Sequence, residues 1–317
     1  MSNLFPTTVA AEAAGGEHSA SFTLESFPAR TAEVGALTVH RILPVRERRM
    51  VGPWCFFDRF GPMSFSAGKP MDVAPHPHIG LQTVSWLVSG EIIHNDSTGG
   101  EGLLHPGQLN LMTAGSGIAH SEETPPAPSG KLEGVQLWVA LPEAHRHMAP
   151  FFMHYSDIPV AELSGGRVAV VMGEVANVRS PAKTFSPLVA AEVVIDKGAG
   201  LELPLDPAFE HCVVILEGDT AFGKQSLARD TLHYLGIGRD ELSLSSREGA
   251  RVMLLGGTPF GETILMWWNF VARTAQEIEE AREDWEQHRR FGDVSAYHGS
   301  RLPAPPLHLK LRPRYAR

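Results

Sequence analysis

The sequence predicts an all-β protein built as two barrels in tandem, with one short helix near the C-terminus. Three observations carry this reading. From Ala36 onward, short apolar runs alternate with Gly, Pro, Asn and Asp. A second series of the same kind runs from about Leu188 to Gly257. A single helix-start signature stands at Thr274. Short strands at regular intervals, separated by turn residues, mark a sandwich or a barrel.

Taken in order, residues 1–30 are rich in Ala, Gly, Ser, Thr and Glu with little periodicity. They read as an N-terminal tail or a loosely attached arm. Residues 31–160 are assigned to the first barrel. Its strands include 83–88 and 91–94, divided by Ser89-Gly90, and 136–140. Residues 161–317 are assigned to a second barrel together with the helix and a tail. Strands are expected at 190–195, 211–217 and 251–255. The strand–Gly–strand arrangement at Glu217-Gly218 echoes Ser89-Gly90, a weak internal repeat. A chain of 317 residues is long enough for two such domains.

The helix follows from a capping box, Thr274-Ala275-Gln276-Glu277. The Thr hydroxyl can cap the first turn while Glu277 reaches back to it. Ile278, Ala281 and Trp285 then recur at helical spacing, which predicts one face packed on a barrel. Residues 301–317 are Pro-rich and basic and read as a packed extension, in preference to a tail for an acidic partner.

Composition narrows the function. The formal net charge of -9 works against binding nucleic acid, which depends on neutralising phosphates. Cys55 and Cys212 lie in apolar runs and read as buried, reduced thiols. The first residues lack a basic segment followed by a long apolar one, and no run approaches the ~18 apolar residues of a membrane span. A cytoplasmic location without membrane attachment is expected.

The chemistry concentrates in two short motifs. His76-Pro77-His78 places two imidazoles two residues apart, on one face of an extended strand. Pro75 and Pro77 suit a strand edge or a bulge. His120-Ser121-Glu122 repeats the two-residue spacing after a turn containing Gly115 and Gly117. If folding brings the pairs together, three imidazoles and a carboxylate surround one point. Such a set suits Zn, Cu, Fe or Ni. His94 and His105 could both line the pocket, but neither has a partner at chelating spacing, and a turn or surface position is the preferred reading. His211 and His233 are isolated, so no metal is expected in the second barrel.

The segments Pro75-His76-Pro77-His78 with Thr83-Val84-Ser85, and Thr113-Ala114-Gly115-x-Gly117-Ile118-x-His120-x-Glu122, resemble the pirin family of the cupin superfamily. The likeness extends from Phe57-Asp58 through Gly134–Val139 and 167–174 to Glu277-Ile278. It implies two tandem cupin barrels of the double-stranded β-helix or jelly-roll type, with one metal in the first. The family's ligands fall on His76, His78, His120 and Glu122, and its usual metal is Fe2+, with Zn, Mn, Ni or Cu as alternatives. The chain departs from the pattern at Gln82, where many members carry Glu. An amide there lacks the negative charge and is expected to shift metal potential or substrate preference.

The resemblance implies an iron-dependent dioxygenase of quercetin or flavonol type. Glu122 would be the catalytic base, and dioxygen and a small aromatic, flavonol- or catechol-like molecule the substrates. Phe56, Phe57 and Trp86 are candidates to bracket the aromatic ring. The alternative is a metal- or redox-responsive regulator that binds a protein partner without turnover.

Overall fold

The computed structural model describes residues 7–10, 23–34, 37–66 and 68–307. They are almost entirely β-strand, with one α-helix, Ala275–Glu286. The chain divides into two units that interleave along the sequence. One comprises Thr31–Arg41, Cys55–Asp157 and Gly261–Arg317. The other comprises Met1–Arg30, Ile42–Trp54 and Ile158–Phe260.

The first unit is built on two sheets. A seven-stranded sheet runs in the order Phe151–Tyr155, Leu109–Thr113, Leu81–Gly90, Lys131–Ala140, Trp54–Ser64, Leu37–Leu43 and Arg30–Val34. A four-stranded sheet runs Asp72–His78, Ile118–Glu123, Ile92–Asp96 and Glu101–Leu104. The second unit repeats the plan. Its larger sheet centres on Glu210–Gly218, Ala250–Gly257 and Leu188–Ile195, and its smaller one on Gly200–Pro204 and Glu241–Ser245. An apolar core fills it, with Val193, Val213, Ile215, Val252 and Leu254 contributing from the larger sheet. These residues alternate along their strands, as period-2 patterning requires.

Three sequence expectations need correction. The segment 1–30 is not wholly a tail. Thr7–Ala10 and Thr23–Pro28 pair with each other, and Thr23–Pro28 also pairs with Thr231–Gly236 at the edge of the large sheet. Leu24 and Phe27 are buried there. A low-complexity composition hid a segment whose unpaired backbone groups complete an exposed sheet edge. Residues 1–6 and 11–22 lie outside the described residues.

The helix belongs with the first unit rather than with the barrel that precedes it in sequence. Its Ile278, Ala281 and Trp285 cluster with Ile79, Ala119, Phe270 and Phe291. The capping box forms as expected, with Glu277 N–H donating to Thr274 Oγ1 at 3.2 Å. Consecutive boundaries at 160 and 161 therefore differ from the units that the contacts define. An apolar helix face packs wherever matching surface is available, and sequence order does not dictate that choice.

The third correction is at His94, which lies buried in the strand Ile92–Asp96 and not in a turn or at the surface. Other expectations agree. Cys55 and Cys212 are buried thiols that form no disulfide. Residues 301–307 pack on the helix, where Arg301 covers the Trp285 ring at 4.1 Å and Trp285 Nε1–H donates to the Leu302 carbonyl at 2.7 Å. Residues 308–317 lie outside the described residues. Among the described residues no helix is long and apolar enough to cross a membrane.

Candidate metal centre

Asp72–His78 is the edge strand of the four-stranded sheet, which accommodates Pro75 and Pro77 without a lost ladder bond. It pairs antiparallel with Ile118–Glu123, so that His120 stands opposite His76 and Ile118 opposite His78. The turn before this second strand requires Gly115. Its φ is +50°, and a Cβ there would lie 2.1 Å from the Met148 carbonyl oxygen. On its other side Ile118–Glu123 pairs with Ile92–Asp96, setting His120 opposite Asp96 and Glu122 opposite His94. Alternation then puts His76, His78, His120, Glu122, His94 and Asp96 on one face of one sheet.

Three of these form the centre. His76, His78 and His120 each offer a ring nitrogen to a cluster whose atoms all lie within 4.8 Å of one another. The Nε2 atoms of His78 and His120 are 3.0 Å apart. The outer nitrogens are held by other groups. His76 Nδ1 lies 2.9 Å from the Ala74 carbonyl, and His78 Nδ1 lies 3.1 Å from the Asn269 carbonyl. A carbonyl only accepts, so each Nδ1 carries the proton and each Nε2 turns a lone pair inward.

Burial keeps these rings uncharged. It pushes His76 down to about 4, against a smaller upward pull from the Ala74 carbonyl. It pushes His78 and His120 well below the usual imidazole range, and the neighbouring imidazoles add to this. Neutral imidazole is the form that ligates a metal. The donor set therefore fits a transition ion: three inward lone pairs, held in place and free of competing protons at neutral pH.

Glu122 is not a member of the three-imidazole cluster. The register shifts between His120 and Glu122, which stands opposite Val73 as His120 stands opposite His76. Such a bulge re-aims the side chains on either side of it. The Glu122 carboxylate meets Ser85 Oγ at 3.2 Å, from the seven-stranded sheet. Burial pushes this carboxyl up, more than His94 and Ser85 bring it down. Ser85 has one hydroxyl proton and a closer acceptor, Gln136 Oε1 at 2.7 Å. A protonated Glu122 can therefore donate to Ser85 while Ser85 donates to Gln136.

His94 departs from the preferred turn or surface position and takes the alternative, a buried place beside the cluster. It lies in a strand, is 2% exposed, and stacks on Phe152 with ring centres 4.1 Å apart. Its Nδ1 lies 3.2 Å from His120 Nδ1 and its Nε2 lies 3.1 Å from Asp96 Oδ2. The His94/Asp96 pair repeats the two-residue spacing of the other motifs, a signal that could have found it. His105 sits exposed in a turn, as expected.

Gln82 is fully buried and donates from Nε2 to Thr113 Oγ1 at 2.9 Å. Strand alternation places it on the face opposite Thr83 and Ser85. The aromatic neighbour of the cluster is Trp138, edge-on to His78 at 5.2 Å and stacked on Phe56 at 4.0 Å. Of the three aromatic candidates, Phe56 stands here, whereas Phe57 and Trp86 are fully buried in the core.

Two tandem barrels, one of them carrying a histidine cluster that could hold a metal ion, define a bicupin. Residues 36–139 match the family described as Pirin, and residues 190–292 match the Pirin C-terminal cupin domain. A Pseudomonas aeruginosa protein named a putative quercetin 2,3-dioxygenase is 46% identical over 290 residues, covering 91% of this chain and 92% of its own. A pirin-like protein of Caulobacter vibrioides is 36% identical, covering 88% and 98%. The crystal structure of a quercetin 2,3-dioxygenase from Acinetobacter baumannii superposes with a TM-score of 0.89 at 43% identity, covering 92% of this chain and 98% of that one. The chain belongs to the pirin family.

Proposed function

We propose that the protein is an iron(II)-dependent dioxygenase acting on flavonol- or catechol-like aromatic molecules. The observation that carries the reading is the convergence of three uncharged imidazoles on one point inside a barrel. Relatives named for quercetin dioxygenase activity support the substrate class. Two buried cysteines that form no disulfide suit a reducing compartment, and we place the protein in the cytoplasm.

His76, His78 and His120 would hold the ion, and Glu122 would complete the set from the same sheet face. Iron is the family's usual metal, although such a set also accepts Zn, Mn, Ni or Cu. When bound, the ion supplies Lewis acidity and open positions for an ionised substrate hydroxyl and for dioxygen. Glu122 is the base. Its affinity for protons, raised by burial, suits it to take one from a substrate hydroxyl, and Ser85 Oγ at 3.2 Å holds the carboxylate in place. Trp138 and Phe56 offer a flat apolar wall beside His78 for an aromatic ring.

Anaerobic iron loading followed by oxygen-uptake assays with a panel of flavonols and catechols tests this reading. We expect about one metal per chain and metal-dependent uptake with at least one of the panel. Metal binding without uptake would leave a metal- or redox-responsive regulator of a protein partner as the function. A reconstituted protein that holds no metal would remove both.

A further inference from the structure

The hydrogen bonds behind His120 extend past the three imidazoles. We propose that Asp96, His94 and His120 form a relay that fixes the His120 tautomer and conveys carboxylate charge toward a bound metal. The inference rests on the metal reading of His76, His78 and His120. In it His94 and Asp96 are positioning residues that do not touch the ion.

The relay can be read from its anchored end. Asp96 Oδ1 accepts from Thr98 N at 2.7 Å, Thr98 Oγ1 at 2.6 Å and Gly100 N at 3.0 Å. The turn thus fixes the carboxylate and leaves Oδ2 facing His94 Nε2 at 3.1 Å. A carboxylate only accepts, so His94 Nε2 carries the proton. The tautomer with its proton on Nε2 presents a bare Nδ1 to His120 Nδ1, 3.2 Å away. His120 must donate from Nδ1, and its Nε2 lone pair is free.

That lone pair points at His78 Nε2, 3.0 Å away. His78 donates its own Nδ1–H to the Asn269 carbonyl at 3.1 Å, so its Nε2 is bare as well. Two facing lone pairs at this distance repel unless a cation lies against both. The bonding from Asp96 at one end and Asn269 at the other thus specifies a cation between the two rings. Phe152, stacked on His94 with planes 8° apart, holds the relaying ring in register. A ligand imidazole whose outer N–H meets such an acceptor is a stronger donor to its metal.

Two substitutions separate this role from mere support of the fold. Asp96→Asn keeps the shape, and its amide oxygen can retain the three turn bonds. Its NH2 then donates to His94 Nε2, which moves the His94 proton to Nδ1. His120 Nδ1 must now accept, its Nε2 is protonated, and a ligand is lost. His94→Leu removes the relay and the stacked ring but imposes no wrong tautomer.

Zinc affinity, measured by competition with a chromophoric chelator, should fall about 10–100-fold in Asp96→Asn and by less in His94→Leu. The metal-free thermal midpoint should move in the opposite order, with His94→Leu the more damaged. A purely structural role predicts one order for both measurements. Long-range 1H–15N spectra of zinc-loaded, 15N-histidine-labelled wild type should show His94 protonated at Nε2 and His120 at Nδ1. A His94 proton at Nδ1, or unchanged zinc affinity in Asp96→Asn, would overturn the relay and leave the metal centre standing. A wild-type protein that takes no zinc at His120 would overturn both.

Discussion

In the unit containing Cys55–Asp157, burial holds His76 at about 4, and its ring shares one point with those of His78 and His120. In the unit containing Ile158–Phe260, burial holds His211 at about 4 too, yet that ring lies beside Phe209 and packs against Gly256. The neighbouring His233 has Nδ1 at 2.9 Å from Ser26 Oγ and Nε2 at 2.9 Å from the Ala228 carbonyl, so both nitrogens are engaged. The two units show similar sheets and similar depression of a buried imidazole. Burial makes a histidine neutral in either place. A metal centre needs in addition that outer nitrogens be occupied by acceptors and inner lone pairs converge.

The strongest way to break this comparison is to remove one imidazole from each unit. His120→Ala should abolish stoichiometric metal binding, whereas His211→Ala should keep the wild-type metal content, both read by elemental analysis after reconstitution. Equal effects would mean that the cluster is not the centre. Beside the cluster, Glu122→Gln removes the base and should lower oxygen uptake by about 10²–10⁴-fold. An uptake rate within a few-fold of wild type would free Glu122 of that role.

Acid should weaken both units alike. Unfolded imidazoles titrate near 6.5, whereas His76 and His211 are held near about 4, so the unfolded chain takes up protons first. Stability is then complete above about pH 6.5 and is lost as the pH falls toward 4, by roughly 3 kcal/mol for each ring. Zinc at 100 times its dissociation constant adds about 2.7 kcal/mol to the state that binds it. We expect that gain to vanish in His120→Ala and to survive in His211→Ala, as judged by thermal unfolding. The smallest effect lies in the helix that supports the cluster's strands. Thr274→Ala removes the cap, should cost about 1 kcal/mol, and should leave zinc affinity unchanged.

Much of this was legible in residue order. The same-face relation of His76 and His78, and of His120 and Glu122, follows from a period of two, and the sheet preserves both. The Thr274–Glu277 box also follows, since it depends on residues three apart. His94 was misread because its significance depends on strand Ile92–Asp96 pairing beside Ile118–Glu123. The surroundings of Gln82 are likewise non-local: proximity in sequence to His78 does not say that its amide turns to Thr113. Trp138, 60 positions from His78, had no local signal at all.

By itself, then, the sequence determined which side chains share a strand face, where turns and the helix start, and which residue types can ligate. Those properties are set within a few residues by backbone geometry. Only the tertiary structure decided that His120 lies across from His76, that Thr23–Pro28 completes a sheet edge, that the helix packs on Ile79 and Ala119, and that Asp96 and His94 stand behind a ligand. Strand pairing and helix docking join segments far apart in the chain. They are chosen by the burial and hydrogen bonding of the whole fold, which no local spacing encodes.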